Sequence, residues 1–103
     1  MNMTNRVIEI VTWKSKAGVE DKEMILAVEG KLPDVKKVKG FIHQALHKNT
    51  DNEWVGVYYW ESEEDAYNSN KEMAGKEAFT KLISLIDEKS IRIEIMATLQ
   101  SSG

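Results

Sequence analysis

A hairpin signal between Gly40 and Glu64 is the strongest constraint on this chain. Two β-rich runs, Phe41–His47 and Trp54–Trp60, flank a polar link, Lys48–Glu53. Strand-forming residues on both sides of an Asn/Asp-rich turn predict two adjacent antiparallel strands. Ser62 follows the second run and is placed to cap a helix. The hairpin thus supplies half of one sheet and a wall of any pocket built on it.

The flanking segments supply the rest. Arg6–Trp13 is rich in Val and Ile, with Val7, Glu9, Val11 and Trp13 on one face and Ile8, Ile10 and Thr12 on the other. Apolar residues on both faces predict a strand covered on both sides. Val19–Lys31 changes to helical spacing, with Val19, Leu26 and Gly30 on the stripe and Ile25, Val28 and Leu32 beside it. Acidic residues crowd its first turns, where they suit the positive end of a helix. Pro33 is expected to stop or restart this helix. Asp34–Lys39 reads as a short helical turn with Val35 and Val38 inward. After the hairpin, Ser62 to Asp65 reads as a capping box, and helix is expected to about Asn70. Gly75 interrupts the pattern. Glu77–Asp87 resumes as an amphipathic helix, and Ser90–Leu99 reads as the last strand. Ile91, Ile93, Ile95, Ala97 and Leu99 share one face of it.

The order β-α-β-β-α-β predicts an α+β, ferredoxin-like sandwich: one four-stranded antiparallel sheet with two helices, its central strands the first and third. At 103 residues the chain has room for a single domain, residues 1–103, with a core of about residues 6–99. Two helices cover one face of such a sheet, yet every strand carries apolar residues on the other. A second copy packing sheet against sheet would cover that face, so the patterning predicts a homodimer.

Composition excludes several functions. The net charge of −3 argues against nucleic acid, whose phosphates need clustered cations. The Lys36, Lys37, Lys39 cluster reads as a solvated face. No cysteine is present, so there is neither a disulfide nor a thiolate metal site. The first residues, Met-Asn-Met-Thr-Asn-Arg, lack the apolar core of a secretory signal, and no apolar run approaches the roughly 20 residues of a membrane span. The expectation is a cytoplasmic protein without a membrane partner.

Gly40-Phe41 entering the second strand, and Trp60-Glu61-Ser62-Glu63-Glu64-Asp65-Ala66 leaving the third, resemble the antibiotic-biosynthesis-monooxygenase (ABM) family. The resemblance spans about Arg6 to Leu99. It implies a dimeric α+β barrel formed by two sheets, with a pocket between sheet and helices in each subunit. Activities in that family include cofactor-independent oxidation of aromatic polyketides and oxidative haem degradation. The haem-degrading branch uses an Asn on the first strand and a Trp and a His on the second helix. Here Val11 stands at the first position, and Ser62–Asp87 holds neither Trp nor His. The resemblance therefore implies a homodimeric protein without a cofactor, acting as a monooxygenase on a small aromatic or quinone-like compound. A non-catalytic small-molecule-binding or stress-response module on the same barrel is the alternative.

Candidate site residues follow from chemistry. His43 and His47 lie at i and i+4 on one strand, about 13 Å apart at about 3.3 Å per residue, too far for one metal ion. His43, a mid-strand imidazole, is a candidate general base, or else a hydrogen-bonded residue at an interface or edge. Glu9 is a carboxylate on a doubly covered strand, so it requires a partner, with Arg92 the expected one, or it lines the pocket as a second candidate base. Tyr58 and Trp60 share a face with Trp54 and Gly56, and with Trp13 they are the candidates to hold an aromatic substrate. Core packing explains the same residues, and Trp60 also reads as an anchor of the strand–helix junction.

Overall fold

The computed structural model describes residues 6–103; residues 1–5, read above as carrying no secretory signal, lie outside the described residues. The elements are β1 (Val7–Ser15), α1 (Asp21–Val35), β2 (Phe41–Lys48), β3 (Trp54–Trp60), α2 (Glu63–Met73), α3 (Glu77–Ile83) and β4 (Ile86–Ala97). The four strands form one antiparallel sheet in the order β2-β3-β1-β4, with β1 and β3 central. This is the expected ferredoxin-like α+β arrangement, with the second helix divided in two.

The division falls where the chain weakens as a helix. Gly75 costs about 1 kcal/mol in a helix interior, and α2 ends just before it at Met73. The third helix stops at Ile83, short of the expected Asp87, because Ile86 pairs with Ser15 and begins β4. Ladder hydrogen bonds with β1 thus prevail over helical spacing. The last strand ends at Ala97 rather than Leu99, which lies 87% exposed beyond it.

The first helix also runs further than expected, through Pro33 to Val35. Pro33 sits in the last turn, where the Lys36 N–H still closes on the Leu32 carbonyl at 2.9 Å. Its inward face is Met24, Ala27, Val28, Lys31 and Val35, whereas Ile25 and Leu26 are exposed. That row holds i, i+3, i+4, i+7 and i+11 spacing from Met24. The stripe expected through Leu26 is therefore displaced by part of a turn.

All three helices pack on the sheet face that carries Val7, Val11, Trp13, Trp54, Tyr58 and Trp60. Two hydrophobic clusters result, one around Trp60, Ala66 and Met73 and one around Trp13, Met24 and Leu82. Burial of each large apolar side chain there contributes about 1.5–3 kcal/mol. Neither cluster includes Ile8, Ile10, Ala45, Val55, Val57, Tyr59 or Met96, which belong to the other face.

The pairing of β2 with β3 shifts between Phe41 and His43. The extra residue turns Phe41 to the helix-covered face, where its ring meets Trp60 edge-on at 5.8 Å. His43 and Phe41 therefore point to opposite faces, contrary to simple alternation. Gly40, just before the bulge, has φ +85°, and an added Cβ would overlap the buried Asp65 side chain at the start of α2. Ser62 caps that helix by accepting the Asp65 N–H at 3.1 Å. The Gly-Phe and Ser-x-x-Asp segments thus interlock through Gly40 and Asp65.

This contrast is testable. Gly40→Ala is expected to destabilise by about 2 kcal/mol or more, through its positive φ and the overlap with Asp65. Gly30→Ala, at an exposed helical position with open space around it, is expected to stabilise by about 0.5–1 kcal/mol. Urea midpoints of the two variants, measured against the parent, check both signs.

Candidate functional site

Between the sheet and the helices lies a cavity of about 190 Å³. Its walls are mostly apolar, contributed by β1, α1, β3, α2, α3 and β4, with Val11, Trp13, Val35, Met73, Phe79 and Leu82 prominent. Ile93, 51% exposed, also lines it, so the cavity reaches the surface beside β4. Four polar side chains enter it: Glu9, Lys31, Ser69 and Asn70. Tyr58 and Trp60 complete the wall from β3.

Antiparallel pairing explains why these residues meet. Glu9 stands opposite Tyr58 on β3, and Val7 opposite Trp60. Paired residues share a face, so Glu9, Tyr58 and Trp60 all point toward the helices. The Trp60 indole N–H donates to Glu9 Oε1 at 3.0 Å. Trp60 is 1% exposed and Glu9 3% exposed. The Tyr58 and Trp60 rings stack at 6.5 Å, 17° from parallel. Gly56 makes room for Trp13: a Cβ there would lie 3.3 Å from the Trp13 ring and 3.3 Å from the Tyr58 ring. Trp13 is held from the helix side by an N–H contact to Met24 Sδ at 3.5 Å.

Lys31 enters from α1, on the same inward row as Met24, Ala27, Val28 and Val35. Its ammonium hydrogen-bonds the Tyr58 hydroxyl and lies 4.6 Å from the Tyr58 ring centroid. Only 7% of the residue is exposed. A carboxyl, an amine and a phenol are therefore gathered at one wall of an apolar space.

Burial sets the proton affinities of the three groups. It raises the Glu9 carboxyl above the ordinary carboxylate range, opposed by hydrogen bonds from Trp60 and Asn70 and by the Lys31 charge. It lowers Lys31 from 10.5 to about 8, opposed by the Glu9 charge. Tyr58 is held protonated well above its ordinary value, first by burial and then by the Glu9 charge, opposed by the Gln44 amide. A carboxyl with raised proton affinity and an amine with lowered proton affinity thus line one cavity, the kind of arrangement from which acid–base sites are built.

Of the five residues singled out from the sequence, Glu9, Trp13, Tyr58 and Trp60 line this cavity. His43 does not. It stands opposite Tyr59 on the uncovered sheet face, with ring centroids 5.9 Å apart. The sheet itself lies between His43 and Glu9. The expected Glu9–Arg92 pair is also absent. Glu9 stands opposite Ile95, and Arg92 opposite Thr12 on the other face. Arg92 bonds Glu53 at 3.2 Å instead. One residue of register decides this, because it sends a side chain to the opposite face.

Sequence reasoning missed Lys31, Ser69 and Asn70. For Lys31 a signal existed: it keeps helical spacing with Met24, Ala27, Val28 and Val35, so the inward row contained a cation. Ser69 likewise keeps helical spacing with Ala66 and Met73, whereas Asn70, at an exposed position of a largely polar helix, had no such signal. Among the described residues, no group of three or more His, Asp or Glu could hold a metal ion.

No family model matches the chain, and no curated protein matches it. Solved structures do match in fold. SnoaB, a cofactor-independent oxygenase from Streptomyces nogalater, superposes with a TM-score of 0.72 at 14% identity, over 94% of this chain and 96% of that one. A Bordetella bronchiseptica protein provisionally named an antibiotic biosynthesis monooxygenase gives 0.79 at 14% identity, over 93% and 99%. A similarly named Nitrosomonas europaea protein gives 0.74 at 12% identity, over 100% and 99%. The chain thus has the ferredoxin-like α+β fold of the antibiotic biosynthesis monooxygenase structures. Among the described residues no helix is long and apolar enough to cross a membrane.

The Lys31 environment has a measurable consequence. Between its folded value of about 8 and its ordinary 10.5, the unfolded chain binds the proton that the folded chain has released. Stability is therefore expected to rise with pH from about 8 toward 10, by at most about 1.4 kcal/mol per pH unit. Beyond the ordinary tyrosine value of 10.0, retention of the Tyr58 proton in the folded state reverses the trend. Lys31→Met removes the rise. Urea midpoints of parent and variant across this range measure it, and parallel curves would contradict the burial of Lys31.

Proposed function

We propose that the protein is a cofactor-independent monooxygenase acting on small phenols of one or two rings. The observation that carries this reading is the Glu9–Lys31–Tyr58 group at one wall of the apolar cavity. Support comes from the shared fold with SnoaB, a cofactor-independent oxygenase. Glu9 takes the phenolic proton, its raised affinity bringing it toward the range of an effective base at neutral pH. The Lys31 ammonium and the Tyr58 hydroxyl stabilise the resulting phenolate. Loss of that proton makes the ring carbon para to the oxygen electron-rich, and it bonds to dioxygen to give a hydroperoxide. The O–O bond then breaks with loss of water, leaving a quinone carbonyl. One oxygen atom ends in the product and one in water, and the four electrons that dioxygen takes up all come from the substrate, which goes from phenol to quinone. Trp13, Tyr58 and Trp60 flank the ring and keep water away.

Oxygen consumption with a panel of phenols such as 1-naphthol tests the proposal. Glu9→Gln is expected to slow turnover about 10²–10⁴-fold, the usual contribution of a general base. His43→Ala, altered on the far side of the sheet, is expected to leave it unchanged. Thermal stabilisation by the same phenols without oxygen uptake would favour a binding module instead.

The same reading takes the working unit to be a homodimer joined through the uncovered sheet face. Its support is the row of half-buried apolar residues there, Ile8, Ile10, Val55 and Val57, with Tyr59 and Met96 exposed beside them. Sedimentation of the parent as a dimer, and of Ile10→Arg as a folded monomer, is the expected result. A monomeric parent would remove the dimer from the proposal.

A further inference from the structure

We propose that Lys31 forms a reversible Schiff base with small apolar aldehydes or ketones that enter the cavity between sheet and helices. The amine is set for this by its surroundings. It is almost wholly buried, it lines the cavity, and its Nζ is in contact with the Tyr58 hydroxyl. The carboxyl of Glu9 lines the same cavity and is hydrogen-bonded by Trp60. Burial favours the neutral amine, which is the nucleophile, and brings its proton affinity to about 8.

The step balances without an oxidant or reductant. The Nζ lone pair bonds to the carbonyl carbon, and the C=O π pair moves to oxygen, which takes a proton. Nζ then loses a proton to its surroundings, giving a carbinolamine. The carbon–oxygen bond breaks as the hydroxyl accepts a second proton and departs as water, leaving a protonated imine. Glu9, a carboxyl with raised proton affinity, is the donor for that departure, and the Tyr58 hydroxyl passes protons to and from Nζ. Neutral amine plus carbonyl plus one proton therefore gives protonated imine plus water.

The walls define the ligand class. Among the described residues Lys31 is the one cation lining the cavity, and once it is bonded covalently none of them offers a second cation to a ligand carboxylate. An α-keto acid would carry its charge into apolar surroundings beside Glu9. An uncharged aromatic or aliphatic carbonyl compound meets Trp13, Phe79 and Ile83 without that cost. This activity uses the amine and requires no dioxygen, so it stands or falls separately from phenol oxidation.

Reductive trapping tests it. The full chain is incubated with benzaldehyde and cyanoborohydride at pH 8, and benzylated lysines are located by peptide mass mapping. Lys31 is expected to label faster than exposed lysines such as Lys36, by about 10²-fold, the ratio of neutral amine at that pH between a value of about 8 and the reference lysine side chain. Glyoxylate, small but charged, is expected not to show this preference. Tyr58→Phe and Glu9→Gln keep the amine and are expected to slow labelling at Lys31 while leaving Lys36 unchanged. Labelling at Lys31 no faster than at Lys36, or equal preference with glyoxylate, would overturn the proposal. Phenol oxidation can fail while Lys31 is trapped, and the reverse, so the two results separate the two assignments.

Discussion

The Trp60 indole N–H donates to the Glu9 carboxylate at 3.0 Å on the helix-covered face of the sheet, and the site is arranged around that bond. A carboxylate on a central strand is costly to bury without partners, because it gives up its hydration. Here the partners arrive from three elements: Trp60 from β3, Asn70 from α2 and the charge of Lys31 from α1. Each of those elements is held in place for its own reasons. The Trp60 ring meets Phe41 edge-on and stacks with Tyr58. The start of α2 is fixed by its Ser62 cap and by the fit of Asp65 against Gly40. Lys31 is carried inward by a helix face that is otherwise apolar. The same residues that close the core thus compensate the Glu9 carboxylate within it.

A cavity in so small a domain has a cost of its own, since atoms lining a void lose contacts they would otherwise make. Aromatic rings border it, but they stack on one another and on the Gly56 backbone rather than filling it. The polar groups are concentrated at one wall. The combination of apolar volume, one amine and one carboxyl is what a reactive pocket requires, and it is what distinguishes this space from a packing defect.

Much of the architecture was legible along the chain. The hairpin, the strand order and the placement of β1 and β3 at the centre follow from period-two and helical patterning, which report burial directly. Ser62 was recognisable as a cap because its chemistry is local. The errors arose where competing local tendencies are close in energy. Pro33 did not end α1 because it falls in the last turn. Ile86 went to β4 because ladder bonds with Ser15 outweighed one more turn of helix. Glu9, Trp13, Tyr58 and Trp60 reach the cavity because their two paired strands share a face. His43 lies on the uncovered face, and the bulge that parts it from Phe41 is one that no alternation rule anticipates. Lys31 escaped notice because a cation on an inward row looks like an error in the row until its partners are known.

By itself, the sequence determined which segments become strands and helices, which central-strand residues share a face, and that an acid would sit among them. Those properties depend on neighbours a few residues apart. Tertiary structure alone decided the register that sets Glu9 opposite Tyr58 and sends Arg92 to the far face. It also decided the docking angle of α1 that brings Lys31 to the Tyr58 hydroxyl, and the open volume between them. Such long-range choices depend on pairing and packing across the whole sheet, where a shift of one residue inverts every side chain on a strand.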